Sequence, residues 1–269
     1  MKKPILILCL FTLASALAQA GVPETKGKLR PLSPDRPHQT ESSYTTDAGH
    51  IQIEGDFLSY FINHPKEGPV EKTLCFFSFN AKVGLTKNSD FEVLSGVFSS
   101  SRFDGPAGSG STASQVFFPD LLLRYKLNIL GNDSGQTSIA LMPVLRTSNF
   151  FREKFEGRAS GILVNIDHEI DENKGMGFTG GISSFSLDPF FREYELFSTF
   201  SFDYRVVSVV RHFVEVSYRY NKLADYLHGY SVDSGITITP SDNFQLDTGF
   251  YYFLPQKSPF FFAGATIRI

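Results

Sequence analysis

The chain has no tryptophan, only two cysteines, no surplus of basic residues and no long apolar run in its body. Each shortage excludes something. Cys9 lies in an apolar amino-terminal stretch, which leaves Cys75 alone in the remainder, so no internal disulfide framework forms. Cys9 is also a poor lipid-attachment site, because Leu8 precedes it where a small residue is wanted. Two of the 25 basic side chains, Lys2 and Lys3, sit ahead of the apolar stretch and none of the 28 acidic ones does, so the chain beyond it is more acidic than the overall charge of −3. That balance excludes the basic footprint of a nucleic-acid binder. Beyond residue 20 no segment approaches the ~18 apolar residues that a spanning helix needs.

What is present falls into three parts. Residues 1–20 read as an export signal: Lys2 and Lys3, an apolar run from Ile5 to Leu17, then Ala18-Gln19-Ala20. Residues 21–48 form a polar leader rich in Pro, Ser and Thr, whose composition does not support regular structure. Residues 49–269 alternate apolar and polar side chains in segments of roughly ten, separated by turn residues, which is the pattern of a transmembrane strand. Ile51, Ile53, Phe57 and Phe61 oppose Gln52, Glu54, Asp56 and Tyr60. Cys75, Phe77, Phe79, Ala81, Val83 and Leu85 oppose Ser78, Asn80, Lys82 and Gly84. Phe261, Ala263, Ala265, Ile267 and Ile269 oppose Gly264, Thr266 and Arg268. With a period of two, one face is greasy and the other charged.

The reading predicts an all-β fold: a closed antiparallel transmembrane β-barrel of about twelve strands with a short irregular leader. The strands are expected at 50–61, 71–85, 90–99, 118–128, 136–147, 159–169, 175–185, 193–205, 209–221, 230–239, 243–253 and 259–269. Met142 and Val144 blur the alternation in the fifth, and the join at Val206 to Val209 lacks turn residues. Even-numbered strands are followed by short polar turns such as Thr86-Lys87-Asn88-Ser89. Odd-numbered ones are mostly followed by longer loops: 62–70, 100–117, 148–158, 186–192, 222–229 and the shorter 254–258. Short turns at the periplasmic end and longer loops outside match a barrel with both termini inside. Closure itself is a hydrogen-bond requirement, since an open strand edge in lipid strands N–H and C=O groups at several kcal/mol each. The 28 Phe and 11 Tyr fit a lipid-solvated exterior, with Tyr and Phe taking the interfacial places that Trp usually shares.

The inner face collects Glu54, Asp56, Lys82, Asp90, Glu92, Arg124, Lys126, Arg146, Glu195, Asp203, Glu215, Arg219, Asp247 and Arg268. Taken singly, most read as paired charges filling the interior. Taken together they line a polar path, since a barrel of this size leaves a passage unless something fills it. Gly175 to Gly180 spaces its glycines like a dinucleotide motif, but it enters a strand and not a helix, so the reading is rejected. Asp167-His168-Glu169 cannot converge on a metal, because neighbours on a strand point to opposite faces. His50, His64, His212 and His228 are scattered, with no pair at ligand spacing. No nucleophile-elbow spacing appears. No cofactor and no enzymatic activity are expected.

Two stretches carry a resemblance. Asp35-Arg36-Pro37, Thr40-Glu41-Ser42 and Gly49-His50-Ile51-Gln52-Ile53-Glu54 open the barrel, and Gly235 to Thr239, Asn243 to Asp247 and Arg268 close it. In both, the chain resembles the outer-membrane transporter family named for the MetA pathway of phenol degradation. The resemblance implies an outer-membrane barrel handling small hydrophobic or aromatic solutes, and it supplies no catalytic residues. The leader is expected to fold back, with Asp35, Arg36 and Glu41 plugging or gating the lumen against wall charges such as Arg268. The lumen and gating candidates are thus Asp35, Arg36, Glu41, His50, Glu54, Lys82, Arg124, Glu215, Arg219, Asp247 and Arg268. Expected partners are outer-membrane lipid of a Gram-negative-type bacterium, the barrel-assembly machinery and a small hydrophobic solute, with no nucleic acid. A structural or adhesion barrel with a filled lumen, or a periplasmic lipid-binding β-protein, is the alternative.

Overall fold

A computed structural model describes residues 29–65, 68–104, 112–117, 120–148, 158–188, 191–221 and 229–269. The expected export signal and most of the loops at 148–158 and 222–229 lie outside them. Every regular element among the described residues is a strand: β1 (Ile51–Asn63), β2 (Val70–Thr86), β3 (Ser89–Ser95), β4 (Phe98–Asp104), β5 (Thr112–Phe117), β6 (Asp120–Leu130), β7 (Thr137–Ser148), β8 (Arg158–Asp171), β9 (Lys174–Asp188), β10 (Phe191–Val207), β11 (Val210–Asn221), β12 (Gly229–Ser241), β13 (Phe244–Phe253) and β14 (Ser258–Arg268). They form one antiparallel sheet in which β1 pairs with both β2 and β14. That double pairing closes a ring of twelve strands. At the seam the Ile51 and Ile269 amides donate to each other's carbonyls, at 2.9 and 2.8 Å, so the carboxyl end leaves no open edge there.

Fourteen segments make twelve ring positions because β4 and β5 form an added hairpin on β2, mostly where a loop at 100–117 is expected. The expected strand 90–99 is β3 followed by β4, broken at Gly96-Val97. Both halves pair with β2 in one unbroken register, Phe79 opposite Ser95 and Phe76 opposite Phe98. The described part of the expected strand 118–128 belongs to β6, and β5 precedes it within the expected loop. β4 and β5 extend the β3–β6 hairpin toward the loop end, and there β2 runs for 17 residues, against the ~9–11 that cross the hydrocarbon. The outer side of this extension carries the Lys72–Asp104 ion pair (2.7 Å) and Arg102, groups suited to water or headgroups and not to acyl chains. The join at Val206 to Val209 proves to be a two-residue turn, Ser208-Val209, between β10 and β11.

The greasy face looks outward. Ile53, Phe77, Ile129, Leu145, Val216 and Phe261 are exposed around the wall, where lipid solvates them. Tyr194, Tyr220 and Tyr230 lie near the loop ends and Tyr204 near the short turns, the depths at which amphipathic rings meet headgroups. The inner face holds the buried residues, and most are polar.

Two face assignments differ from the simple alternation. A bulge between Asp56 and Leu58 leaves Phe57 and Leu58 both outside, and Phe77 opposite them takes a left-handed backbone (φ 56°). Alternation reverses beyond this line. Phe61 therefore turns inward against Phe260 and Phe253, and Cys75 sits opposite the buried Ser59 instead of joining Phe77 on the lipid face.

Candidate functional site

The leader enters from the end of the short turns. Arg30 meets Asp47 (2.8 Å) and the Lys87 carbonyl there. The chain then climbs the lumen to an apex at Pro37 to Gln39 and returns to Asp47, which lies against Gly84 and Arg268 beside the start of β1. Its two limbs are braced by Ser33 to Ser42 (2.8 Å) and by the Ser42 amide donating to Asp35. Because its contacts reach β1, β2, β6, β8, β9, β10, β11, β13 and β14, the leader lies inside the ring.

Each limb is held by charge. Asp35 receives Lys82 (2.5 Å) and Lys126 (2.7 Å). Lys82 also reaches Glu54 (2.5 Å) and Lys126 reaches Glu92 (3.2 Å). Lys82 and Lys126 are 1% and 0% exposed, so their heads are paired or they are prohibitively costly. Burial alone pushes the Asp35 carboxyl up, but Lys126, Lys82 and Arg124 outweigh it and hold the group well below the usual carboxylate range. Arg36 reaches Asp56 (2.6 Å) on β1 and Asp247 (2.5 Å) on β13, and its guanidinium lies 5.6 Å from the ring centre of Phe262. Glu41 accepts from Arg124 at 2.7 Å. Between these pairs the leader's backbone donates to wall carboxylates: Gln39 and Thr40 to Glu215, Ser43 to Asp167, and Thr46 to Asp90. A polar strap without secondary structure of its own has its amides satisfied by wall side chains.

The wall is also shaped for the strap. A Cβ on Gly264 would strike the Arg36 guanidinium and the Gly55 carbonyl, and one on Gly84 would strike the Asp47 carbonyl.

Of the sequence candidates, Asp35, Arg36, Glu41, Glu54, Lys82, Arg124, Glu215 and Asp247 come together in this network. Arg268 engages the leader through Asp47 (3.1 Å) and the Arg30 carbonyl, not through Asp35, Arg36 or Glu41. His50 stands at the junction of leader and β1, its Nδ1 against the Ala48 carbonyl. Arg219 lies apart, near the loop end, beside Glu195 (3.6 Å) and over the Phe197 ring. Sequence reasoning passed over His38, Gln39, Asp47 and the inward aromatic group of Phe61, Tyr251, Phe260 and Phe262. The Pro37-His38-Gln39 run inside the motif was the available signal for the first two. Asp167 and Glu169 meet the leader at Ser43 and Tyr44, and His168 lies against Thr137 of β7. Among the described residues no three His, Cys, Asp or Glu side chains form a metal-holding group.

The strap does not fill the lumen. A cavity of about 610 Å³ lies on its short-turn side, one of about 470 Å³ on its loop side, and one of about 170 Å³ between it and β9–β12.

No family model and no curated protein matches the chain. Solved structures do. An outer-membrane channel from Pseudomonas putida F1 is similar with a TM-score of 0.55 at 10% identity, covering 82% of this chain and 95% of that one. The NanC porin is similar with a TM-score of 0.52 at 8% identity, covering 81% and 98%. The fold is thus that of outer-membrane β-barrels.

Proposed function

We propose that this chain is an outer-membrane channel through which small solutes, hydrophobic or aromatic ones among them, diffuse passively past an internal leader that narrows the lumen. The observation that carries this reading is the pair of cavities, about 610 and 470 Å³, left on either side of the leader inside a closed wall. Chambers on both sides of a narrowing are what a channel needs, and a barrel built only as a structural post has no use for them. The inward aromatic group on β1, β13 and β14 supports apolar solutes, as does the resemblance to the MetA-pathway transporters. The P. putida channel of the same fold supports transport. The export signal, delivery by the barrel-assembly machinery and residence in the outer membrane of a Gram-negative-type bacterium belong to the same proposal. In this reading the leader is the gating element, and the ion pairs of Asp35, Arg36 and Glu41 support their part as its anchors.

The test is flux into liposomes holding the pure protein, with phenols, fatty acids and sugars as solutes, alongside a variant lacking residues 24–45. The reading expects solute-dependent flux that rises on deletion. No flux from either protein, with both folded by the boiling-dependent shift in electrophoretic mobility, favours the filled structural barrel instead.

A further inference from the structure

The three lumen cavities are arranged in series, and the residues that divide them identify a gate. The short-turn cavity and the loop-side cavity share no lining residue. The small cavity shares Leu32, Ser33, Asp167, Asp203 and Arg211 with the first, but only Arg36 and His38 with the second. On the other flank of the leader the Asp35, Lys82 and Lys126 side chains are packed tight, with both lysines almost wholly buried. The open side of the strap is therefore the one facing β9–β12.

The two residues at the neck are held very differently. Arg36 is fixed by two carboxylates and a ring. His38 rests edge-on against Phe213, ring centres 4.4 Å apart, and its buried Nε2 has no hydrogen-bond partner. Moving Arg36 breaks two ion pairs, whereas turning His38 gives up one ring contact and releases an unsatisfied nitrogen. Resting on the channel reading above, we propose that solutes cross by way of the small cavity and that the His38 ring is the gate between it and the loop-side cavity. The chamber behind the gate has room for at least five waters at ~30 Å³ each. Its wall mixes the Thr40, Ser42, Ser201 and Thr237 hydroxyls with the His38 and Phe213 rings. Such a chamber admits one small solute at a time and sorts by cross-section.

The experiment compares His38→Ala, His38→Trp and His38→Phe with the parent and with the protein lacking residues 24–45, all in liposomes. The readouts are swelling rates with glycerol, arabinose and sucrose, and single-channel conductance in potassium chloride. His64→Ala, at the loop end, is the control outside the route. His38→Ala is expected to raise arabinose swelling several-fold and to raise conductance. His38→Trp is expected to lower both, and His38→Phe to stay near the parent. If the alanine and tryptophan variants match the parent while leader deletion still raises flux, the gate is elsewhere and the channel reading stands. If none of the folded proteins conducts, the channel reading itself fails and the gate falls with it.

Discussion

Arg36→Ala removes the leader cation that ties the apex to carboxylates on two strands, Asp56 of β1 and Asp247 of β13. The guanidinium serves Asp56, which is 13% exposed and keeps a hydrogen bond from Ser78, and Asp247, which is fully buried. Asp247 is left as a buried charge without its cation, and removing one partner of a buried ion pair costs about 3–5 kcal/mol. The barrel's own ladders are untouched, so the loss falls on the seating of the leader. At about 1.4 kcal/mol per tenfold, the docking equilibrium weakens roughly 100- to 4,000-fold. Native-state hydrogen exchange reads this directly, because the Gln39, Ser43 and Thr46 amides are protected only by wall carboxylates. Their exchange is expected to accelerate by that factor while amides of β10 and β11 keep their rates. Asp56→Asn with Asp247→Asn, added to Arg36→Ala, is expected to restore much of the protection, since no unpaired charge then remains. Unchanged leader exchange in Arg36→Ala, or equal acceleration throughout the strands, would refute the idea of a separately docked strap.

Other outcomes follow from the same geometry. Gly264→Ala is expected to lower the temperature at which the folded, fast-migrating band is lost, because its Cβ meets both Arg36 and the Gly55 carbonyl. Phe77→Gly is expected to cost about 1–2 kcal/mol less than Phe91→Gly in denaturant unfolding from lipid vesicles: both rings face lipid, but only Phe77 occupies the left-handed region. Equal costs would mean that Phe77 is unstrained. Glu215→Gln is expected to weaken leader seating by about 1–3 kcal/mol, because the Gln39 and Thr40 amides donate to its two different oxygens and a glutamine keeps only one acceptor, leaving one amide unpaired. Leader exchange rates measure this as well.

The barrel was legible because lipid on one side and water or polar side chains on the other force an unbroken period of two, and because closure leaves few alternatives. The turns at Lys87-Asn88 and Asp242-Asn243 marked the short-turn end for the same reason. The reversal at Phe57 and Phe77 was not legible. Neither position carries Gly, so nothing local announces a bulge, and the faces of Phe61 and Cys75 came out wrong. The aromatic count was read as a lipid-facing surplus, but Phe213, Phe260 and Phe262 line the interior beside the leader. A charged leader before the first strand suggested contact with the wall. Which wall charge each anchor meets depends on how deep the chain climbs before it turns back. Composition does not encode that depth, and Arg268 accordingly pairs with Asp47 on the returning limb.

The placement of the leader is tested most directly by a cross-link. In a Cys75→Ser background, Thr40→Cys on the leader and Thr199→Cys on β10 occupy positions whose hydroxyls lie 2.7 Å apart in the centre of the lumen. After refolding into vesicles and mild oxidation, mass spectrometry is expected to find the two cysteines joined in nearly all molecules that show the boiling-dependent mobility shift. A folded, heat-shifting barrel whose two cysteines stay free would contradict a leader seated within the wall.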